Sequence, residues 1–382
     1  MLDRFLQYIK GFDFLKDVAF VVLGGILGIA ITWIWQKFQR QRIVRKEKKI
    51  IVNTAEKYSD KGIVSLANAY PYYRPSNIIL YDSTEQFILG RPDRSDPEGA
   101  HAKDVLFQGS TLESLGREMD IPGFAELVEK HRILTEKTIF SNSSGRKLFN
   151  NEKFGVRKIL LTKTDDKNED SIIKIWFFKT DYFTHKVMRA VYRELCAAGH
   201  PISKCTRIEK LVAYYPFLTS FGIDSLLTIT TEDLTEMLVL VKRSKYMANM
   251  TEDRWHVSMN EGLSITDIDE ITGCISFQKS VSRGYIEELG IRNSSYPMEN
   301  TFHSVFLGTE NLELGITTYA RVEMSADDFL LCFKAAEDSA METTGEYRFL
   351  PATRSEVKRF LKSEIAMTDI LKYSLEMYLG HL

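Results

Sequence analysis

The chain carries only four cysteines in 382 residues. Cys196, Cys205, Cys274 and Cys332 lie far apart with no C-x-x-C pair. That spacing argues against a disulfide framework or a cysteine zinc site and fits separate thiols in a reducing compartment. Also missing are a G-x-x-x-x-G-K-[ST] loop, an H-E-x-x-H helix and a G-x-S-x-G elbow, so P-loop, zincin and serine-hydrolase chemistry lack support. Neither charge dominates: 50 Lys and Arg face 52 Asp and Glu, a formal net charge of -2. No global field therefore draws nucleic acid, and no nucleic-acid partner is expected. No internal repeat is visible. His256 and His303 stand singly in apolar surroundings, more often the setting of a packed histidine than of a ligand.

What is present is enough apolar material, 44% of the residues, to build real cores. Residues 18–35, VAFVVLGGILGIAITWIW, carry no charge. About 18 residues at a ~1.5 Å rise span most of a ~30 Å hydrocarbon core. No small-x-small cleavage site follows, and Trp33 and Trp35 resemble an interfacial belt, so the run predicts a retained anchor rather than a signal peptide. Just after it, Lys37, Arg40, Arg42, Arg45, Lys46, Lys48 and Lys49 face one acid, Glu47. The positive-inside bias then predicts a single-pass protein of the plasma (inner) membrane with residue 37 onward in the cytoplasm. Membrane lipid is the expected partner of the basic run, and Gly24, Gly25 and Gly28 offer a small-residue face for a homo-oligomer through the helix.

Three regions are expected: an anchor with its basic segment over 1–50, an α+β region over 51–215, and a second folded region over 216–382. VRKILLTKTDDKNEDSIIKIWFFK predicts a hairpin, followed by a helix capped by Asp181 or Thr184 and stopped near Gly199. SLLTITTEDLTEMLVLVKRS predicts another hairpin. SEVKRFLKSEIAMTDILKYSLEMYL has helical spacing to its end. Strands followed by helices without strict alternation predict an α+β class.

The chemistry concentrates in residues 255–291, WHVSMNEGLSITDIDEITGCISFQKSVSRGYIEELGI. Its end reads as a helix starting near Ser280 or Ser282 and stopped by Gly290. On that helix Glu287 shares a face with Arg283 and Gly284, and Glu288 lies one turn from Gly284. Adjacent carboxylates beside a glycine loop suit a hard divalent cation with oxygen ligands.

RGYIEELGI resembles the second half of the Nudix hydrolase box, G-x5-E-x7-R-E-U-x-E-E-x-G-U with U aliphatic. Arg283, Glu287, Glu288, Gly290 and Ile291 fall in place, with Tyr285 at the aliphatic position. The hairpin ending in VLVKRS and the following WHVSMNEGL resemble the strands that lead into the family's glycine loop. The resemblance implies an α/β/α sandwich with a mixed sheet, Mg²⁺ as cofactor held by Glu287 and Glu288, and Arg283 orienting a carboxylate. It makes Glu288, Glu287 and Arg283 the candidate catalytic residues and Glu261, Gly262 and Arg243 the candidate ligand-binding ones.

Two departures qualify the activity. Gly284 stands where the family has its first box glutamate, and Gly262 precedes Arg283 by seven residues more than the box allows. Glu261, Asp267, Asp269 and Glu270 all remain open as the loop carboxylate. The resulting expectation is recognition of a nucleotide or nucleoside-diphosphate-type ligand with weak or absent hydrolysis, in a signal-responsive membrane effector. The alternatives are an active Mg-dependent hydrolase of nucleoside diphosphate-linked substrates and a catalytically dead interaction scaffold.

Overall fold

The computed structural model describes residue 28 and residues 30–38, 62–92, 103–140, 150–162, 171–243, 253–336 and 343–381. The predicted membrane span is corrected first. Among the described residues no helix is long and apolar enough to cross a membrane. Residues 30–38 are helical and exposed, but nine residues reach only ~14 Å, under half of a ~30 Å hydrocarbon core, and they include Lys37. Apart from residue 28, the rest of the 18–35 run lies outside the described residues. The single-pass membrane placement rested on the span and falls with it; the lipid partner and the oligomer through that helix are left without support, most of the basic run lying outside the described residues.

Residues 51–382 form one compact unit of mixed α+β structure. Its larger sheet contains β1 (Ile63–Tyr73), β5 (Phe221–Thr230), β6 (Glu236–Arg243), β9 (Met298–Gly308), β10 (Glu313–Glu323) and β11 (Thr343–Pro351). They lie in the order β1-β9-β10-β5-β6-β11, with short β7 (Trp255–His256) on β6 and β8 (Met259–Gly262) on β5. β5 and β10 run parallel and the other pairs antiparallel. A smaller sheet has the order β2-β4-β3, from β2 (Ile78–Tyr81), β3 (Glu152–Thr162) and β4 (Ile172–Asp181).

The helices of seven residues or more in this unit are α1 (Leu112–Glu118), α2 (Phe124–Thr135), α3 (Tyr182–Ala197), α4 (Phe277–Leu289), α5 (Ala326–Ala335), α6 (Arg354–Leu361) and α7 (Asp369–His381). β5 is buried at every position because both faces of the sheet are covered there. On one face Phe221 stacks on Phe277 of α4, centroids 5.2 Å apart, and Ser225 Oγ meets Tyr285 Oη at 2.5 Å. On the other, Tyr319 Oη donates to Ser374 O of α7 at 3.2 Å, and Ser304 hydrogen-bonds Tyr373. Alternation along a strand therefore turns Asp224, between Ile223 and Ser225, toward the α7 side.

Both predicted hairpins form. Leu161 faces Ile173 across β3–β4, and Leu227 faces Val239 across β5–β6. Asp181 caps α3, its Oδ1 accepting from Thr184 N at 2.7 Å. β1, from before residue 215, is the edge strand against β9 of the larger sheet, and one hydrophobic cluster runs from Phe87 and Phe178 through Phe221 to Phe329. The C-terminal stretch departs from the reading of one helix: it breaks into α6 and α7. Trp255 N donates to Ala366 O and Thr368 N to Trp255 O, both at 2.9 Å, so the intervening backbone pairs with β7 instead of continuing the helix.

Candidate functional site

α4 begins earlier than its serines at 280 and 282 suggest. Ser276 is its N-cap, with Oγ accepting from Lys279 N at 3.2 Å. It ends at Gly290, whose φ of +69° allows Gly290 N to reach Ile286 O and Ile291 N to reach Tyr285 O, both at 3.0 Å. The helix lies on β8 through Gly284. A Cβ there would stand 2.8 Å from Met259 Sδ and 3.2 Å from Glu261 Cβ. The space a side chain at position 284 would need is thus filled by Met259 and the stem of Glu261.

This close approach makes a packing prediction. Gly284→Glu is expected to lower stability by about 1–3 kcal/mol, since an added side chain forces the methionine off its position. Combined with Met259→Ala it should cost less than the two single changes added together. Urea unfolding of the four chains checks this, and strict additivity would refute the contact.

Arg283 is the centre of the charged network. Its Nε and Nη2 donate to the two carboxylate oxygens of Asp267 at 2.8 and 3.0 Å, and Nη2 also donates to Gly262 O at 3.1 Å. Its Nη1 lies 3.0 Å from Glu287 Oε2 and 3.2 Å from Glu261 Oε1. Burial works against the charged guanidinium, but the Asp267 hydrogen bonds and the surrounding carboxylates outweigh it and hold Arg283 above its ordinary value. Asp267 is fully buried in the turn Ile265–Asp267, where its Oδ2 also accepts from Ser264 N at 2.8 Å. Burial raises the Glu261 carboxyl, the Arg283 charge opposes this, and Glu287 adds to it.

The four carboxylates left open by spacing now separate. Glu261 and Asp267 reach Arg283. Asp269 instead caps its own turn, with Oδ1 accepting from Ile271 N and Thr272 N, and Glu270 is exposed beside Lys279. Glu287 and Glu288 are neighbours in the chain but turn to different partners. Glu287 stays with Arg283, whereas Glu288, 5% exposed, accepts from Asn260 N at 3.1 Å.

That arrangement does not fit the Mg²⁺ expected on the glutamates. Glu287 is held by Arg283 Nη1 and Glu288 by the Asn260 N–H, so the two carboxylates expected to share the ion are engaged by different partners. Among the described residues, no group of three His, Cys, Asp or Glu side chains is placed to hold a metal ion.

Of the candidate ligand-binding residues, Gly262 and Glu261 sit at the end of β8 beside Arg283. Arg243 is buried behind them, with Nη2 donating to Asn260 Oδ1 at 2.8 Å. Asn260 is a hub that sequence reasoning missed: its Nδ2 donates to Asp224 Oδ1 at 2.6 Å. Burial pushes the Asp224 carboxyl up to about 7, with Asn260 and Arg243 opposing and Glu313 adding to the rise. The signal was an acid inside the apolar run FGIDSLL. The two lone histidines are packed: His256 Nδ1 lies 2.8 Å from Thr368 Oγ1, and His303 lies against Tyr319 with centroids 4.1 Å apart.

No protein-family model matches the chain, and no curated protein matches it. Solved structures with partial likeness include a Deinococcus radiodurans protein, at 11% identity over 41% of this chain and 81% of that one, with a TM-score of 0.29. The Nudix domain of Shewanella oneidensis NrtR, crystallised with ADP-ribose, has 15% identity over 41% and 84% and a TM-score of 0.25. A MutT protein from Methanosarcina mazei has 15% identity over 42% and 91% and a TM-score of 0.25.

Proposed function

We propose that residues 216–382 form a Nudix-like domain that recognises a nucleotide or nucleoside-diphosphate-type ligand, with weak or absent hydrolysis. The half-box at Arg283, Glu287, Glu288 and Gly290, on a helix packed against a mixed sheet that α7 covers from behind, supports the domain reading. The single observation that favours recognition over turnover is that Glu287 and Glu288 go to different partners, Glu287 to Arg283 Nη1 and Glu288 to the Asn260 N–H. Two carboxylates divided in this way are not gathered for one cation, and Gly284 supplies no third one. A hydrolase of this chemistry needs a metal to polarise the diphosphate and its attacking water. A binding site needs only donors and shape.

The test uses the full chain with a panel of nucleoside diphosphate derivatives, with and without Mg²⁺ or Mn²⁺, scoring product and thermal shift together. The expected result is a shift of several degrees for at least one compound and no product above the no-protein control. Metal-dependent product that vanishes in Glu287→Gln or Glu288→Gln would overturn the recognition reading in favour of a hydrolase. Neither shift nor product would overturn both in favour of a scaffold.

A further inference from the structure

A second cluster of charge lies beside the Arg283 network and comes from residues before 215. β3 crosses the loop after β8: Phe154 N donates to Leu263 O at 3.2 Å, Ser264 Oγ donates to Glu152 O at 3.2 Å, and Lys153 pairs with Ser264. Lys153 Nζ lies 2.9 Å from the point where a Cβ on Gly262 would stand. The missing side chain of Gly262 is thus the notch that admits the ammonium group. Lys186, on α3, reaches the same place from another element. The ammonium groups of Lys186 and Lys153 lie 4.9 and 5.8 Å from the centroid of one ring, Tyr182.

The nearby carboxylates are already engaged. Glu313 Oε2 accepts from Arg189 Nη2 at 2.8 Å, and Glu261 Oε1 is bound to Arg283 Nη1. Among the described residues neither lysine ammonium donates a hydrogen bond or forms an ion pair. Both side chains are half-buried, so they have lost much of their water while one side stays open. Burial lowers both lysines, Lys186 to about 8, and the Arg189 charge lowers them further while Glu313 opposes. Burial and the same three cations push the buried His185 well below its ordinary value, so it stays neutral beside them, its Nδ1 3.0 Å from Thr219 Oγ1.

Two desolvated ammonium groups and Arg189 share the one carboxylate of Glu313, and this excess of positive charge is costly unless an anion completes it. Lysine is a compact point charge with three donors, suited to the oxygens of a phosphate rather than to a planar fork.

We propose that Lys153 and Lys186 form an anion site for phosphate oxygens, delivered by the segment before residue 215 to the edge of the Arg283 loop. It deepens the nucleoside-diphosphate reading, on which it rests for the ligand's identity but not for the anion itself. It also gives the 51–215 region a task, completing the phosphate end of the proposed ligand site.

The test is calorimetric titration of the full chain with inorganic pyrophosphate, without metal. Wild type is expected to bind, and Lys153→Met and Lys186→Met each to weaken binding about 10- to 100-fold, the loss of one charge-assisted contact. Lys153→Arg, which keeps the charge, should retain most of the affinity. Lys130→Met, which removes a surface charge paired with Glu194, should leave it unchanged. Thermal midpoints equal to or above wild type would show that the methionine variants fold. No pyrophosphate binding by wild type, or equal weakening by Lys130→Met, overturns the site. Nucleoside diphosphates that bind lysine variants and wild type alike would also sink it while leaving the recognition reading intact. Lysine-dependent pyrophosphate binding without any response to nucleoside compounds would keep the anion site and sink the reading.

Discussion

Replacing Arg283 by methionine is expected to lower the stability of the fold by about 3–5 kcal/mol, the cost of breaking a buried ion pair by removing one partner. Asp267 is fully buried and takes both oxygens to the guanidinium, so the variant leaves a carboxylate with no water and no counter-charge. Glu261 and Glu287, both now held at Nη1, would face each other without the charge between them. Arg283→Lys should rescue little, because one ammonium cannot reproduce a bidentate contact to Asp267 and a bridge to two further carboxylates. Arg283→Met with Asp267→Asn should recover part of the loss, since the buried charge is then gone from both sides. Urea unfolding with the slope checked for constancy measures all three. A loss under about 1 kcal/mol, the range of an exposed pair, would mean that solvent screens the network and that Arg283 does not organise the loop.

How much of this was legible in the sequence differs by residue and by the range of the contact. The hairpins predicted at 156–179 and 225–244 were readable because alternation and turn chemistry are local. So was the stop at Gly290, where a left-handed residue follows an apolar helix face. The start of α4 was displaced because Ser276, Ser280 and Ser282 all have cap chemistry, and only the fold shows that Phe277 already packs on Phe221. The break between α6 and α7 contains neither proline nor glycine. It is imposed by pairing with β7, more than a hundred residues earlier, which helical spacing cannot register. Lys153 gave no signal at all, since a lysine in a β-rich run reads as solvated. It comes to the Gly262 notch only because β3 of the smaller sheet crosses the loop of the larger one. The apolar run at 18–35 shows the reverse failing: composition alone suggested an element whose described part is too short for the role.

Asp224→Asn is expected to make the protein more stable at pH 8 and almost no different at pH 4. The carboxyl is buried on β5 and pushed from 3.8 up to about 7, so the folded chain keeps a proton that the unfolded chain releases. Where the native state binds more protons than the unfolded state, stability falls as pH rises. This contribution is therefore fully present below about 3.8, is lost between 3.8 and about 7, and stays lost above. The asparagine cannot ionise, yet its Oδ1 can still accept from Asn260 Nδ2, so the contact to β8 survives. The gap at pH 8 should be about 4 kcal/mol at most, from ~1.36 kcal/mol for each tenfold change in proton affinity over the rise from 3.8 to about 7. The effect extends to the site because Asn260 links Asp224 to Arg243 through its side chain and to Glu288 through its backbone N–H. Ionising Asp224 should loosen β8, and the loop that carries Glu261 and Gly262, before the rest of the sheet. Thermal unfolding from pH 4 to pH 9 measures the first effect, and amide exchange at Asn260 and Gly262 the second. Parallel pH profiles for the two chains would show that Asp224 titrates as an ordinary carboxyl and that β8 does not respond to it.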